Sequence, residues 1–231
     1  MTFTGWKFLF PHGTMSSFNG SRSDLNELFI KNGEIVHSRI PQFHLLEQYV
    51  RAFHEGHARS PQFGVFYGSE RLADDSVREQ TRFIPFARLP SGMKDLPLKN
   101  IISFWSQFQE SPMETLLSEQ AFNKQLLSRW MEYRWSDIPA RVQIIAMACF
   151  ISRSHQFLTL VLPDHRMPDS DPGSLYQGLK NLAEQKSLSV IVMSRMREFE
   201  KLSSNISFNG FPELDHSHFS PEQDDELQEL D

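Results

Sequence analysis

The stretch FLTLVLPDHRMPDSDPGSLYQGLKNLAEQKSLSVIVM, residues 157–193, decides the fold of this chain. Its two apolar runs, 157–162 and 188–193, are short and nearly free of polar residues, as strands buried on both faces of a sheet are. The segment between them, 174–186, has the length of a helix. A strand, a helix and a second strand in this order predict two parallel strands joined by a crossover helix.

The same alternation continues on both sides of this stretch. Apolar runs predict strands at 6–10, 34–36, about 82–86 and 205–208. Helical spacing or start and stop signals predict helices at about 18–31, 45–53, 139–151 and 195–203. The block over about 98–135 is mostly helical and interrupts the alternation, so we expect an inserted helical subdomain there. The fold class predicted is α/β, with a mainly parallel sheet flanked by helices.

Composition excludes several classes of protein. Hydrophobic residues make up 39% and charged residues 23% of 231 residues, which is ordinary for a globular protein. No apolar run approaches the roughly 18 residues that a membrane span needs, and the first residues do not have the pattern of a signal peptide. Cys149 is the single cysteine, so it cannot form a disulfide within the chain. We therefore expect a cytoplasmic protein without a transmembrane segment.

The net charge of −6 is concentrated at the C-terminus. Residues 212–231 contain eight acids and neither Lys nor Arg, so the body, residues 1–211, carries about +2. A body with so little positive charge argues against a nucleic-acid partner. The tail is predicted to be acidic and disordered.

Three motifs for other chemistry are weak. In HEGH, residues 54–57, two histidines could share a metal, but no third ligand follows and Gly56 argues against a helix, so a solvated turn is favoured. His216 and His218 in the tail are a second such pair. A serine-hydrolase site built on His165 lacks the G-x-S-x-G elbow.

The run FPHGTMSSF, residues 10–18, resembles the Walker A phosphate loop of the ATP-binding cassette (ABC) transporter ATPases, whose usual form is GPNGAGKST. Gly13 stands at the central glycine, and Ser17 stands at the hydroxyl that binds magnesium. Ser16 replaces the lysine. About fifteen residues further on, GEI at 33–35 repeats the Gly-Glu-Ile that closes the family's first helix.

Further motifs of the same family follow in the family's order. The segment LTLVLPDHRMPDSDP, residues 158–172, resembles Walker B and the D-loop. Asp164 stands at the magnesium-binding aspartate, and His165 stands at the catalytic glutamate. Arg195 occupies the position of the switch histidine, and Phe86 that of the Q-loop glutamine. RWSDIPARVQIIAMACF takes the place of the LSGG signature without its glycines.

This resemblance implies a P-loop NTPase-like fold over residues 1–211, with a truncated N-terminal antiparallel part. The truncation is expected because the family's antiparallel hairpin has no room ahead of Gly5. Aromatic residues in the Q-loop and helical subdomain would line the groove for a membrane partner, although a helical aromatic stripe is more often core. These residues are Phe83, Phe86, Phe104, Trp105 and Phe108.

The departures from the family bear on catalysis. A phosphate loop wraps backbone N–H groups around phosphate, and Met15 puts bulk where that approach should occur. Ser16 removes the positive charge of the lysine. The residues that remain for a weak nucleotide and magnesium site are Gly13, Ser16, Ser17 and Asp164, with Ser17 and Asp164 as the metal pair. No cofactor is required, and any Mg-ATP binding would be weak.

The function that the resemblance implies is that of a non-catalytic ABC ATP-binding-like subunit. It would be a structural or regulatory partner of a membrane permease, of a second ABC ATPase subunit as a homo- or heterodimer, or of both. It would sit in the cytoplasm, at the inner face of the membrane. Two alternatives stay open: a free-standing scaffold with this fold, and an unorthodox ATPase in which His165 and Arg195 take new roles.

Overall fold

The computed structural model of the chain describes residues 4–17, 24–57, 62–85, 91–106, 127–162, 172–195 and 197–211. The strands within these ranges are β1 (Gly5–Leu9), β2 (Met15–Ser17), β3 (Asp24–Leu25), β4 (Glu27–Lys31), β5 (Ile35–Ser38), β6 (Gly64–Tyr67), β7 (Glu70–Arg71), β8 (Thr81–Pro85), β9 (Phe157–Val161), β10 (Ser189–Met193) and β11 (Ser204–Phe208). The helices are α1 (Phe43–Glu55), α2 (Asp74–Gln80), α3 (Leu98–Ser106), α4 (Ala140–Ile151), α5 (Pro172–Lys186) and α6 (Arg197–Leu202).

The larger sheet is mainly parallel and confirms the predicted fold class. Its strand order is β3-β2-β11-β5-β10-β9-β8, and the five strands from β11 to β8 are parallel. Strands β9 and β10 pair in parallel and are joined by α5, as the stretch 157–193 predicts. Every residue of β10 is buried, which explains why this strand is an unbroken apolar run.

A second sheet is antiparallel, in the order β4-β1-β6-β7. The first described antiparallel strand begins at Gly5, and its two partners come from later in the chain, at 27–31 and 64–67.

The prediction of a helix over about 18–31 is wrong in its described part. Residues 24–25 and 27–31 are strands, and 18–23 lie outside the described residues. In β4, Leu28 and Ile30 are buried while Glu27, Phe29 and Lys31 are exposed, which is the period of two that a half-buried strand has. The spacing of Leu28 and Phe29 from Leu25 fits a helix only by coincidence.

The parallel sheet separates two hydrophobic cores. Along β10, Val190 and Val192 belong to one core, and Ile191 and Met193 belong to the other, because successive side chains point to opposite faces. The first core packs α3, α4, α5 and α6 on the sheet. The second packs α1 and the antiparallel sheet on the other face.

Helix α4 is buried on nearly all sides, and a buried cation binds its last turn. Lys186, at the end of α5, is 8% exposed. Its Nζ donates to the carbonyl oxygens of Cys149 and Ser152, each at 2.6 Å. A positive charge there complements the negative end of the helix dipole, and it satisfies carbonyls that have no partner within the helix.

The other predicted helices and strands agree with the structure where residues are described. Helix α1 covers the spacing recognised at 45–53, and its end at Gly56 has the left-handed φ of 72° that favours glycine. Strand β11 and helices α4 and α6 match their predicted positions closely. Of the block 98–135, the structure describes helix α3 and the segment after residue 126, so the extent of a helical subdomain stays a prediction, as does the tail over 212–231.

Candidate functional site

The carboxyl ends of the parallel strands form the edge where a ligand site is expected. In open α/β sheets, ligands bind outside the carboxyl ends of the strands, where the strand order reverses. Here β5 lies between β11 and β10, so the residues that follow these three strands share one edge of the sheet. We call this the carboxyl edge.

The turn after β5 joins a central strand to the first turn of a helix, which is the arrangement in which a phosphate loop occurs. It consists of residues 39–42, Arg-Ile-Pro-Gln, between Ser38 and the start of α1 at Phe43. It contains neither glycine nor lysine, and Pro41 has no N–H to offer. Gln42, at the N-cap, makes no capping hydrogen bond with its side chain. The phosphate-loop motif itself spans about eight residues.

The segment that resembles Walker A lies elsewhere on the same edge. After β1 the chain turns at Pro11, whose carbonyl accepts hydrogen bonds from the N–H and the hydroxyl of Thr14. Residues 15–17 then form β2, which pairs antiparallel with β11. Gly13 and Ser16 are tied to the end of β11, because Asn209 Nδ2 donates to the Gly13 carbonyl and to Ser16 Oγ, each at 3.4 Å.

This placement corrects the sequence prediction in one respect. Ser17 lies on a strand, whereas a phosphate loop would require this residue at the start of a helix. Met15 is fully buried in the second core, so its side chain points into the protein and away from the edge. Asp164 and His165 lie outside the described residues, so the predicted magnesium pair of Ser17 and Asp164 stays a prediction.

Arg195 follows β10 and Ser194 directly. The resemblance assigns this residue to the position of the switch histidine. Its neighbours on the edge include a residue that sequence reasoning missed. His37, the third residue of β5, is 1% exposed. Its Nδ1 lies 2.9 Å from Asn205 Oδ1, and its Nε2 lies 3.0 Å from Ser194 Oγ. The only signal in the sequence is a histidine directly after the apolar residues Ile35 and Val36.

The pair in HEGH divides into one buried and one exposed histidine. His54 is buried on α1, and its Nε2 is 3.0 Å from Thr159 Oγ1, so the expectation of a solvated turn is wrong for this residue. Burial, with a smaller effect of the positive Arg82, lowers the pKa of His54 to about 3. His57 is exposed and 3.0 Å from an Asp74 carboxylate oxygen. Across the described ranges, no three His, Cys, Asp or Glu residues come together as a metal site.

The aromatic residues that the resemblance places in a partner groove differ in their exposure. Phe83 is half-buried and packs on the ring of His54, at 5.4 Å between centroids. Phe104 is 44% exposed on α3, while Phe86 and Phe108 are outside the described residues. A cleft of about 380 Å³ lies at the far end of α1, between Gly56, Arg71 and Val77, and has no contact with the carboxyl edge.

No helix in the described part of the chain is long and apolar enough to cross a bilayer. No protein-family model matches the sequence, and neither does any curated protein. Solved structures, by contrast, share its fold.

Three of these structures are ATP-binding proteins or complexes of ABC transporters. An ABC transporter ATP-binding protein from Pyrococcus furiosus is 12% identical, with a TM-score of 0.55 over 89% of this chain and 98% of that chain. The cbiO1 protein of Clostridium perfringens, part of the ABC transporter complex cbiONQ, is 10% identical, with a TM-score of 0.58 over 86% and 81%. A metal-chelate type ABC transporter in an inward-facing conformation is 11% identical, with a TM-score of 0.58 over 90% and 80%. The chain has the fold of the ATP-binding subunits of ABC transporters.

Proposed function

We propose that this protein is a non-catalytic ABC ATP-binding-like subunit, a structural or regulatory partner of a membrane permease or of an active ATPase subunit. The observation that carries the proposal is the turn after β5. Residues 39–42 occupy the position of a phosphate loop, but this turn has only four residues and contains neither glycine nor lysine. A loop this short cannot wrap several N–H groups around the phosphates of ATP.

The electrostatics at the same turn also disfavour tight nucleotide binding. Lysine in a phosphate loop reaches the β- and γ-phosphates, and no lysine lies between Lys31 and Lys94 in this sequence. Phe43, the first residue of α1, is 84% exposed and so presents an aromatic side chain where an anion would approach the helix. The N–H groups of the first turn and the exposed Arg39 attract an anion, but they lack the glycine-rich backbone that wraps around phosphate.

The residues that would carry hydrolysis differ from the family at two further positions. Hydrolysis of ATP needs a group that positions the attacking water and charges that stabilise the transferring phosphoryl group. His165 stands at the position of the catalytic glutamate, and Arg195 at that of the switch histidine. If Mg-ATP binds weakly or not at all, Ser17 and Asp164 have no magnesium ion to coordinate.

A partner subunit gives such a chain a role that does not depend on hydrolysis. The cbiO1 protein is described as part of an ABC transporter complex, and a chain with the same fold would dock in a similar complex at the cytoplasmic face of a membrane. Its contribution would then be binding energy at interfaces. Phe83 and Phe104 are the described members of the aromatic set that would contact a permease.

ATP turnover by the purified full chain tests the catalytic part of the proposal. We expect phosphate release no faster than in buffer, with the Pyrococcus furiosus relative as the positive control. Magnesium-dependent turnover that disappears in Asp164→Ala and persists in Asp169→Ala would overturn the proposal and favour the unorthodox ATPase. Asp169 is the matched control because it is another aspartate of the Walker B-like segment, residues 158–172.

Affinity capture from detergent-solubilised membranes tests the partner. We expect the tagged chain to recover an integral membrane permease or an intact ABC ATPase. Recovery of neither, with the chain remaining in the soluble fraction, would support a free-standing scaffold instead. Phe104→Ser is expected to weaken recovery of a permease, and the control Tyr133→Ser, at an exposed aromatic outside that set, is expected to leave it unchanged.

A further inference from the structure

Three polar side chains join the carboxyl ends of β5 and β10 to the start of β11. His37 on β5 is 2.9 Å from Asn205 Oδ1 on β11, through Nδ1. Through Nε2 it is 3.0 Å from the hydroxyl and 3.2 Å from the carbonyl oxygen of Ser194, directly after β10. His37 and Ser194 are 1% and 0% exposed, so the contact between them is made away from solvent, while Asn205 is half-buried.

The hydrogen bonds of Asn205 assign the role of one ring nitrogen of His37. Asn205 Nδ2 donates to the Ser203 carbonyl at 3.1 Å, so its Oδ1 is the atom that faces the imidazole and accepts. His37 Nδ1 must then be the donor. Nε2 lies 3.0 Å from the hydroxyl of Ser194 and 3.2 Å from its carbonyl oxygen, and the carbonyl oxygen can only accept. All three side chains therefore have a hydrogen-bond partner, and the role of the Ser194 hydroxyl follows from whether Nε2 carries a proton.

The order serine, histidine, asparagine is also the order of a nucleophilic triad, so that alternative has to be weighed. Ser194 is fully buried, and the cleft between Gly56, Arg71 and Val77 does not include it. A substrate could therefore not reach its hydroxyl. The arrangement has the geometry for holding strands together and lacks the access that covalent chemistry requires.

We propose that His37 is a positioning residue that latches the turn carrying Arg195, and the start of β11, to β5 without a ligand. The inference rests on the proposed function, since in a subunit that binds no nucleotide the edge must be held by the chain itself. One imidazole connects the strand that leads into turn 39–42 with the strand that leads into Arg195. The ring also stacks on Phe199 of α6, at 6.2 Å between centroids, so the latch includes the helix that follows Arg195.

Hydrogen exchange of the full chain, followed peptide by peptide in the absence of nucleotide, tests the latch. His37→Leu replaces the imidazole by an apolar side chain of similar size. We expect peptides within 194–208 to exchange at least ~10-fold faster in this variant, because opening of the segment no longer costs the free energy of these hydrogen bonds. His54→Leu is the matched control. It removes a second buried, hydrogen-bonded histidine from the other face of the sheet, and we expect 194–208 to exchange as in the wild type.

The latch is overturned if His37→Leu leaves the exchange of 194–208 unchanged, or if it accelerates exchange equally in all peptides. Ser194→Ala provides the same test should His37→Leu not fold, with an expected acceleration of ~3-fold limited to the same segment. His37→Gln, whose amide can replace one of the bonds, is expected to restore part of the protection. A purely space-filling role for the imidazole would give Leu and Gln the same effect.

Two additional measurements separate the latch from the proposed function. Nitrogen NMR of His37 should show a protonated Nδ1, and an unprotonated Nδ1 would contradict the assigned hydrogen bond to Asn205. Repeating the exchange of the wild type with Mg-ATP should change nothing in 194–208. Protection by Mg-ATP there would overturn the proposed function, whereas the result for His37→Leu without nucleotide decides the latch alone.

Discussion

His54 gives a prediction whose size can be calculated from its surroundings. The imidazole lies against the second core, 5.4 Å from Phe83 and 5.7 Å from Phe157 between ring centroids, with Thr159 as the partner of Nε2. Its Nδ1 has no hydrogen-bond partner in the described structure. Burial in this apolar site, with a smaller contribution from Arg82, lowers its pKa from 6.5 to about 3.

The sign of the effect follows from proton binding in the two states. Below pH 6.5 the unfolded chain takes up a proton on His54, whereas the folded chain stays neutral there until about pH 3. The contribution of the neutral His54 to the free energy of unfolding is therefore complete above pH 6.5 and is lost as the pH falls. Between pH 7 and pH 5, this one residue should reduce the free energy of unfolding by ~2 kcal/mol.

Urea unfolding at pH 7 and pH 5 measures this quantity in the wild type and in His54→Leu. The change between the two pH values should be ~2 kcal/mol smaller in the variant, and the subtraction removes the contribution of the carboxylates. His12→Gln, which removes an exposed histidine, should behave as the wild type does. An equal pH dependence in the wild type and in His54→Leu would refute the assignment of a neutral, buried His54.

Three substitutions test other parts of the fold by urea unfolding. Lys186→Met removes the cation that binds the end of α4 and should cost ~2–3 kcal/mol, against less than ~0.5 for Lys180→Met on the same helix; equal losses would show that the cap contributes nothing. Gly56→Ala should cost ~1–2 kcal/mol, because alanine at φ 72° is strained and its Cβ would lie 2.9 Å from an Asp74 oxygen; no loss would mean that α1 ends differently. Leu28→Asp should cost at least ~3 kcal/mol and Phe29→Asp less than ~1, as the alternation of β4 requires, and the reverse order would contradict that strand.

The parallel core could be predicted from the sequence because each of its strands carries its own signal. Strands buried on both faces are short apolar runs, and β9 and β10 have this pattern in full. The antiparallel sheet could not be predicted in the same way. Strand β1 pairs with residues 27–31 and 64–67, and such distant pairing leaves no local pattern. The five residues 27–31 also fit the spacing of a helix, so only their pairing with β1 shows that they form a strand.

The candidate site shows a different limit. The resemblance directed attention to Gly13 and its neighbours because a phosphate loop is recognised by glycine, and the turn 39–42 has none. Strand order, which identifies that turn as the one after a central parallel strand, is a property of the sheet and not of the local sequence. His37 was missed for a related reason: Ser194 and Asn205 are more than 150 residues away along the chain.

Calorimetric titration of the full chain with Mg-ATP tests the central claim most directly, since the account requires that the turn after β5 cannot hold the phosphates. We expect no saturable heat up to millimolar nucleotide, with the structurally similar ATP-binding protein from Pyrococcus furiosus as the positive control in the same buffer. Saturable binding at micromolar Mg-ATP, abolished by Asp164→Ala, would contradict the account.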